Sequence, residues 1–213
     1  MDHELLENLV DKSLTKEELL EKVTQDFALL PVILDGVYSS KAAIRYGCAK
    51  VLMDLSEEYP KKLYPHMAFF ITLLGSKYRI LTWNAMAIIA NLTRVDTDKQ
   101  FDAVFDKYFS FINDDYMVTV ANLVGNAGKI ARAKPYLTQK ITDELLKVDH
   151  IATTLHLTEE CKLVIAEQVI KSFDLFFDHV EQKDKVLSFV KKHATSPRKT
   201  LQTKAQQFLQ KWS

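Results

Sequence analysis

Apolar residues recur along this chain at steps of three and four, and the rhythm itself repeats. Five segments align on one twelve-residue template: "IRYGCAKVLMDL" from Ile44, "LTWNAMAIIANL" from Leu81, "TVANLVGNAGKI" from Thr119, "KLVIAEQVIKSF" from Lys162 and "LQTKAQQFLQKW" from Leu201. The fifth position holds Cys48, Ala85, Leu123, Ala166 and Ala205. The ninth holds Leu52, Ile89, Ala127, Ile170 and Leu209, and the twelfth Leu55, Leu92, Ile130, Phe173 and Trp212. Steps of four and then three place these residues along one helix face, which predicts amphipathic helices turned toward a core. The segments start 37, 38, 43 and 39 residues apart, near the period of helix-pair solenoids.

An apolar segment precedes each aligned helix: roughly "FALLPVILDGVYS" from Phe27, "LYPHMAFFITLLG" from Leu63, "FDAVFDKYFSFI" from Phe101, "YLTQKITDELLKV" from Tyr136 and "DKVLSFVKKHA" from Asp184. Strand-like alternation is missing, so the chain reads as all-α. Ser39-Ser40, Gly75-Ser76, Asn113-Asp114-Asp115 and Ser196-Pro197 punctuate the turns, and Pro60, Pro65 and Pro135 mark the passage between pairs. Ser196 is expected to cap the last helix, with Pro197 in its first turn. At the start, "TKEE" from Thr15 fits a capping box, with a short helix from about His3 to Asp11 ahead of it. The expected organisation is capping helices over 1–25, then one domain over 26–213 with repeats at about 26–59, 60–96, 99–134, 135–180 and 182–213.

These helix pairs resemble the HEAT and armadillo repeat superfamily from about Phe27 to Trp212. Pro31, inside the first helix of a pair, is a common HEAT feature, and "AIIANL" resembles the armadillo third-helix pattern. The chain departs from that pattern in two respects. Only Asn91 occupies the asparagine position, its equivalents being Asp54, Lys129, Ser172 and Lys211, and the usual tryptophan four residues earlier is Ala87. The resemblance implies a right-handed α-α superhelix of about five helix pairs with N-terminal capping helices. It also implies that the second helices line a concave surface where partners bind.

Turning each template by 100° per residue sets its third, seventh and tenth positions opposite the core. Those are Tyr46, Lys50 and Met53; Trp83, Ala87 and Ala90; Ala121, Gly125 and Gly128; and Val164, Gln168 and Lys171. Glycine inside a helix costs ~1 kcal/mol relative to alanine, so Gly125 and Gly128 suggest a close approach to the backbone. One reading is a groove walled by Tyr46 and Trp83 with an Ala/Gly floor. Its candidate contacts are Tyr46, Lys50, Trp83, Asn84, Ala87, Asn91, Asn122, Gly125 and Lys129. The other reading turns the helices by about one position and makes these residues internal packing. Asn91 likewise has two readings: a grip on a partner's backbone, as the armadillo resemblance implies, or a tie between neighbouring repeats.

Charge and chemistry narrow the function classes. Lys plus Arg and Asp plus Glu both number 28, so no global basic field gathers nucleic acid or anionic lipid. The ends differ, with eight acids against three bases from Met1 to Leu30 and eight bases against one acid from Lys183 to Ser213. That asymmetry permits a homo-oligomer through acidic and basic ends. No glycine-rich phosphate loop, paired metal-binding histidines or CxxC pair is present, and His150, His156 and Asp149 form only a chance-level metal set. Neither a cofactor nor a metal is expected. Two lone cysteines in apolar patterns fit a reducing compartment, and with no apolar run of transmembrane length the expected place is the cytoplasm. The leading expectation is a non-enzymatic scaffold that binds a protein or peptide on its concave side. DNA-alkylation-repair glycosylases, which are also HEAT-like, supply the alternative, as does a homo-oligomeric structural module. A duplex-gripping face needs a basic groove and a carboxylate beside aromatics, whereas the centre here is Ala, Gly and Asn.

Overall fold

The computed structural model describes residues 2–212. Met1 and Ser213, the extremes of the expected repeat assignment, lie outside the described residues. Every regular element among the described residues is helical, and Thr154 and Leu157 add an isolated antiparallel bridge. No described helix is long and apolar enough to cross a membrane. The chain divides into two compact units, residues up to Thr97 and residues from Asp98 onward. That division falls in the turn between the second and third expected repeats.

The first unit contains α1 (Asp2–Glu7), α2 (Lys16–Gln25), α3 (Leu30–Gly36), α4 (Ala42–Glu58), α5 (Pro60–Leu63), α6 (Met67–Leu73) and α7 (Arg79–Leu92). The capping box forms as the sequence predicts: Thr15 Oγ1 accepts the Glu18 N–H at 3.1 Å, and Glu18 accepts the Thr15 N–H at 2.8 Å. Such a cap contributes about 1 kcal/mol to the helix it opens. The first helices of the pairs are less regular than their periodicity predicts. Short 3-10 turns, Phe27–Leu29 and Tyr64–His66, precede α3 and α6. Pro31 and Pro65 sit in first turns, where a missing N–H costs no bond. Helix α4 packs against α2, α3 and α7, and α6 packs against α7. Cys48, Leu52 and Leu55 on α4 and Ala85, Ile89 and Leu92 on α7 are all buried, together with Phe70 on α6. The six residues on α4 and α7 are the fifth, ninth and twelfth template positions.

The second unit contains α8 (Gln100–Phe109), α9 (Met117–Ala133), α10 (Thr138–Leu146), α11 (Glu159–Asp174), α12 (Lys183–His193) and α13 (Lys199–Trp212). Helix α11 packs against both α9 and α13, and α12 closes against α13. Phe101, Phe105, Tyr108 and Phe109 are buried together, with the Phe105 and Phe109 rings stacked at 4.5 Å. Each buried ring contributes about 1.5–3 kcal/mol over an exposed one. In the long interval before α11, Leu157 is buried and the His156 ring stacks on Tyr116 at 4.5 Å. Asp149 pairs with Lys192. Two residues of the chance metal set, His156 and Asp149, are thus placed against other partners, and His150 is exposed.

One device recurs at the turns within the pairs. Ser39, Ser76, Asp114 and Ser196 each accept an N–H from two residues on, those of Lys41 (3.2 Å), Tyr78 (3.1 Å), Tyr116 (2.8 Å) and Arg198 (3.2 Å). The side chain thereby bends the chain before its helix starts. Because Ser196 bonds Arg198, α13 begins at Lys199 and Pro197 lies ahead of the helix rather than inside it. Thr158 caps α11 through the Cys161 N–H at 3.3 Å, with Glu159 and Glu160 in the first turn where the helix dipole favours them.

Candidate protein-binding face

Helical periodicity decides which side chains leave the core. The third and seventh template positions of α4, α7, α9 and α11 are half-buried throughout: Tyr46, Lys50, Trp83, Ala87, Ala121, Gly125, Val164 and Gln168. The tenth position behaves differently. Ala90 and Gly128 are buried, Met53 is half-buried and Lys171 is exposed. The expected face therefore narrows to two positions on α7 and α9, where Ala90 and Gly128 leave it.

In the first unit, the packed helices α4 and α7 carry Tyr46 and Lys50 beside Trp83, Asn84 and Ala87, all half-buried. Lys50 forms an i,i+4 ion pair with Asp54 on its own helix. Tyr46 is held in place. Its ring meets Tyr78 edge-on at 6.4 Å, and the Arg45 guanidinium lies over both rings, 4.7 Å and 3.9 Å from their centroids. Arg45 is only 6% exposed, and its Nη1 donates to the Ser39 and Ser40 carbonyls at 2.8 and 3.2 Å. This clamp was not legible in the sequence, since nothing in the template marks a buried arginine at the second position.

Asn91 does not line this face. It is 4% exposed, and its Nδ2 donates to Ser56 Oγ at 2.9 Å. Ser56 in turn donates to the Met53 carbonyl at 2.6 Å. The amide is a tie between α7 and α4. Arg94 adds to the same junction, donating to the Asn91, Ser56 and Glu57 carbonyls.

In the second unit, α9 presents Asn122, Gly125 and Lys129, all half-buried. The Asn122 amide donates to the Val118 carbonyl one turn back at 2.8 Å, and Asn126 repeats this with Asn122 at 2.9 Å. The two glycines of α9 differ sharply. A Cβ built on Gly128 would stand 2.8 Å from the Ser172 carbonyl oxygen and 2.8 Å from Leu175 Cδ1, both contributed by the α11 segment. Ser172 Oγ donates to the Val124 carbonyl and accepts the Gly128 N–H at 3.2 Å, bridging two groups that face each other across one turn of α9. A Cβ on Gly125 would meet only Gln168 Oε1, at 3.9 Å. Gly128 is therefore explained by packing within the chain, and Gly125 is not.

The thiols separate by the same logic. Cys48 is fully buried on α4, and desolvation pushes its pKa up to about 12. Cys161 is half-buried at the start of α11. Native protein should therefore release one equivalent of chromophore with Ellman's reagent, and the Cys161→Ser variant none until denatured. A fast reaction in Cys161→Ser would contradict the burial of Cys48.

No family model matches the chain, and no curated protein matches it. Among solved structures, a designed armadillo repeat protein is 14% identical and superposes with a TM-score of 0.52 over 98% of this chain and 92% of its own. An engineered protein solved by the Northeast Structural Genomics Consortium is also 14% identical, with a TM-score of 0.50 over 98% of this chain and 87% of its own. At that identity the likeness concerns the fold, and it shows an all-α helical-repeat solenoid of the armadillo/HEAT-like kind.

Proposed function

We propose that this chain is a non-enzymatic scaffold that binds a protein or peptide on the half-exposed faces of its second helices, α4 and α7 in the first unit and α9 and α11 in the second. The observation that carries the reading is Gly125. A mid-helix glycine forgoes ~1 kcal/mol of stability relative to alanine, and none of the described residues requires the space it leaves. A ligand backbone laid against α9 would require it. Half-buried Trp83 and Tyr46 on the first unit supply aromatic anchors of the kind that dominate binding hot spots. The repeat fold supports a scaffold, because such folds offer extended surfaces built from successive helices. The free thiols Cys48 and Cys161 fit a reducing, cytoplasmic setting.

The test is a displayed peptide library selected on the wild-type chain, with the recovered binders remeasured against Gly125→Gln and Trp83→Ala. We expect loss of binding of tenfold or more for at least one of the two in most recovered sequences, with both variants folded by circular dichroism. Binders that do not distinguish wild type from either variant would place the contact surface elsewhere.

A further inference from the structure

The two ends of this neutral chain carry opposite charge, and the basic end has a groove. Between α11 and α13, Lys171, Lys199 and Lys204 line a shallow cleft of about 380 Å³ together with Thr200, Thr203 and Gln207. The carboxylates around it are already committed. Glu167 takes Lys171 at 2.7 Å, the Thr200 hydroxyl at 2.6 Å and Arg198 at 3.5 Å. Burial opposes its ionisation, but those bonds outweigh burial and hold its pKa below the usual range. Glu160 pairs with Arg198 at 2.7 Å, and Asp174 is shared by Lys211 at 2.9 Å and Lys204 at 3.9 Å. Five cations thus face three occupied carboxylates, and Lys199 pairs with no carboxylate among the described residues, bonding only Gln202 at 3.3 Å. The groove keeps an uncompensated positive charge.

The N-terminal end is its counterpart. Glu4, Asp11, Glu17 and Glu21 are exposed on or beside α1 and α2, and none pairs with a cation among the described residues. We propose that the lysine groove of one copy takes the acidic α1–α2 surface of a second copy, head to tail. The two surfaces are different, so each contact is heterologous: a copy that gives its groove to one neighbour still has its own acidic surface to offer. It is driven by charge, so it follows the screening length.

Sedimentation velocity on the full chain tests this. At ~0.01 M salt, where the screening length is about 30 Å, the weight-average mass should rise with concentration above the 24.5 kDa monomer. At ~1 M salt, where it is about 3 Å, the mass should return to the monomer. The doubly reversed chain Lys199→Glu/Lys204→Glu and the doubly reversed chain Glu17→Lys/Glu21→Lys should each stay monomeric at low salt. An equimolar mixture of the two should associate again, because each retains the end the other has lost; two misfolded chains would not do so. A wild-type chain that stays monomeric at low salt overturns the proposal and leaves the groove to an acidic partner of another kind. So does association that ignores salt, or a mixture that remains monomeric.

Discussion

Replacing Gly128 by alanine will lower the stability of the chain, whereas the same change at Gly125, three residues earlier, will raise it. At Gly128 the new methyl meets the Ser172 backbone at 2.8 Å, and a backbone cannot turn aside as the tip of a flexible side chain can. Helix α11 must shift, and the Ser172 hydroxyl loses its place between Val124 and Gly128. Overpacking of this kind costs about 1–3 kcal/mol, and we expect about 2 kcal/mol after the gain in helix propensity. For a chain of this size that lowers the melting temperature by roughly 4–8 °C. At Gly125 only the propensity gain operates, so the expectation is about 0.5–1 kcal/mol of added stability. Thermal melts of the two variants decide the matter: shifts of the same sign would show that the glycines share one role.

Asn91→Ala is the second large effect, and its contrast is Asn84→Ala on the same helix. Removing the Asn91 amide withdraws the donor that Ser56 accepts inside a buried junction, which costs about 1–3 kcal/mol. Asn84 is half-buried and has no hydrogen-bond partner among the described residues, so its loss should fall within about 0.5 kcal/mol. Urea titration should show a lower midpoint with an unchanged slope for Asn91→Ala, and binders selected on wild type should bind it as before. A larger loss at Asn84 than at Asn91 would sink the assignment of Asn91 as a tie.

The core was legible because it depends on one number, the turn per residue. Cys48, Ala85, Leu123, Ala166 and Ala205 share a template position and are all buried. What depended on the neighbouring repeat was not legible. Gly125 and Gly128 look alike in sequence, yet α11 comes within 2.8 Å of a Cβ at the second and only 3.9 Å at the first, a difference set by how two helices pack. The tenth position splits for the same reason, with Ala90 inward and Lys171 outward. The first helices of the pairs escaped the periodic reading because 3-10 turns at Phe27–Leu29, Tyr64–His66 and Pro135–Leu137 reset the rotation before each α-helix. Arg45 left no trace, since its cation–π partners are Tyr46 on α4 and Tyr78 in the turn just ahead of α7.

The eleventh position gives this chain a grammar for splicing. Asn91 reads Ser56 of the helix pair before it, and Ser172 reads Val124 and Gly128 of the helix pair before it. Each word makes sense only after its predecessor. A repeat lifted out and inserted elsewhere would carry an amide or hydroxyl facing a neighbour with nothing to answer it. Duplications of this chain therefore tolerate junctions cut just after one tie and just after the next, so that each tie and its acceptor travel together.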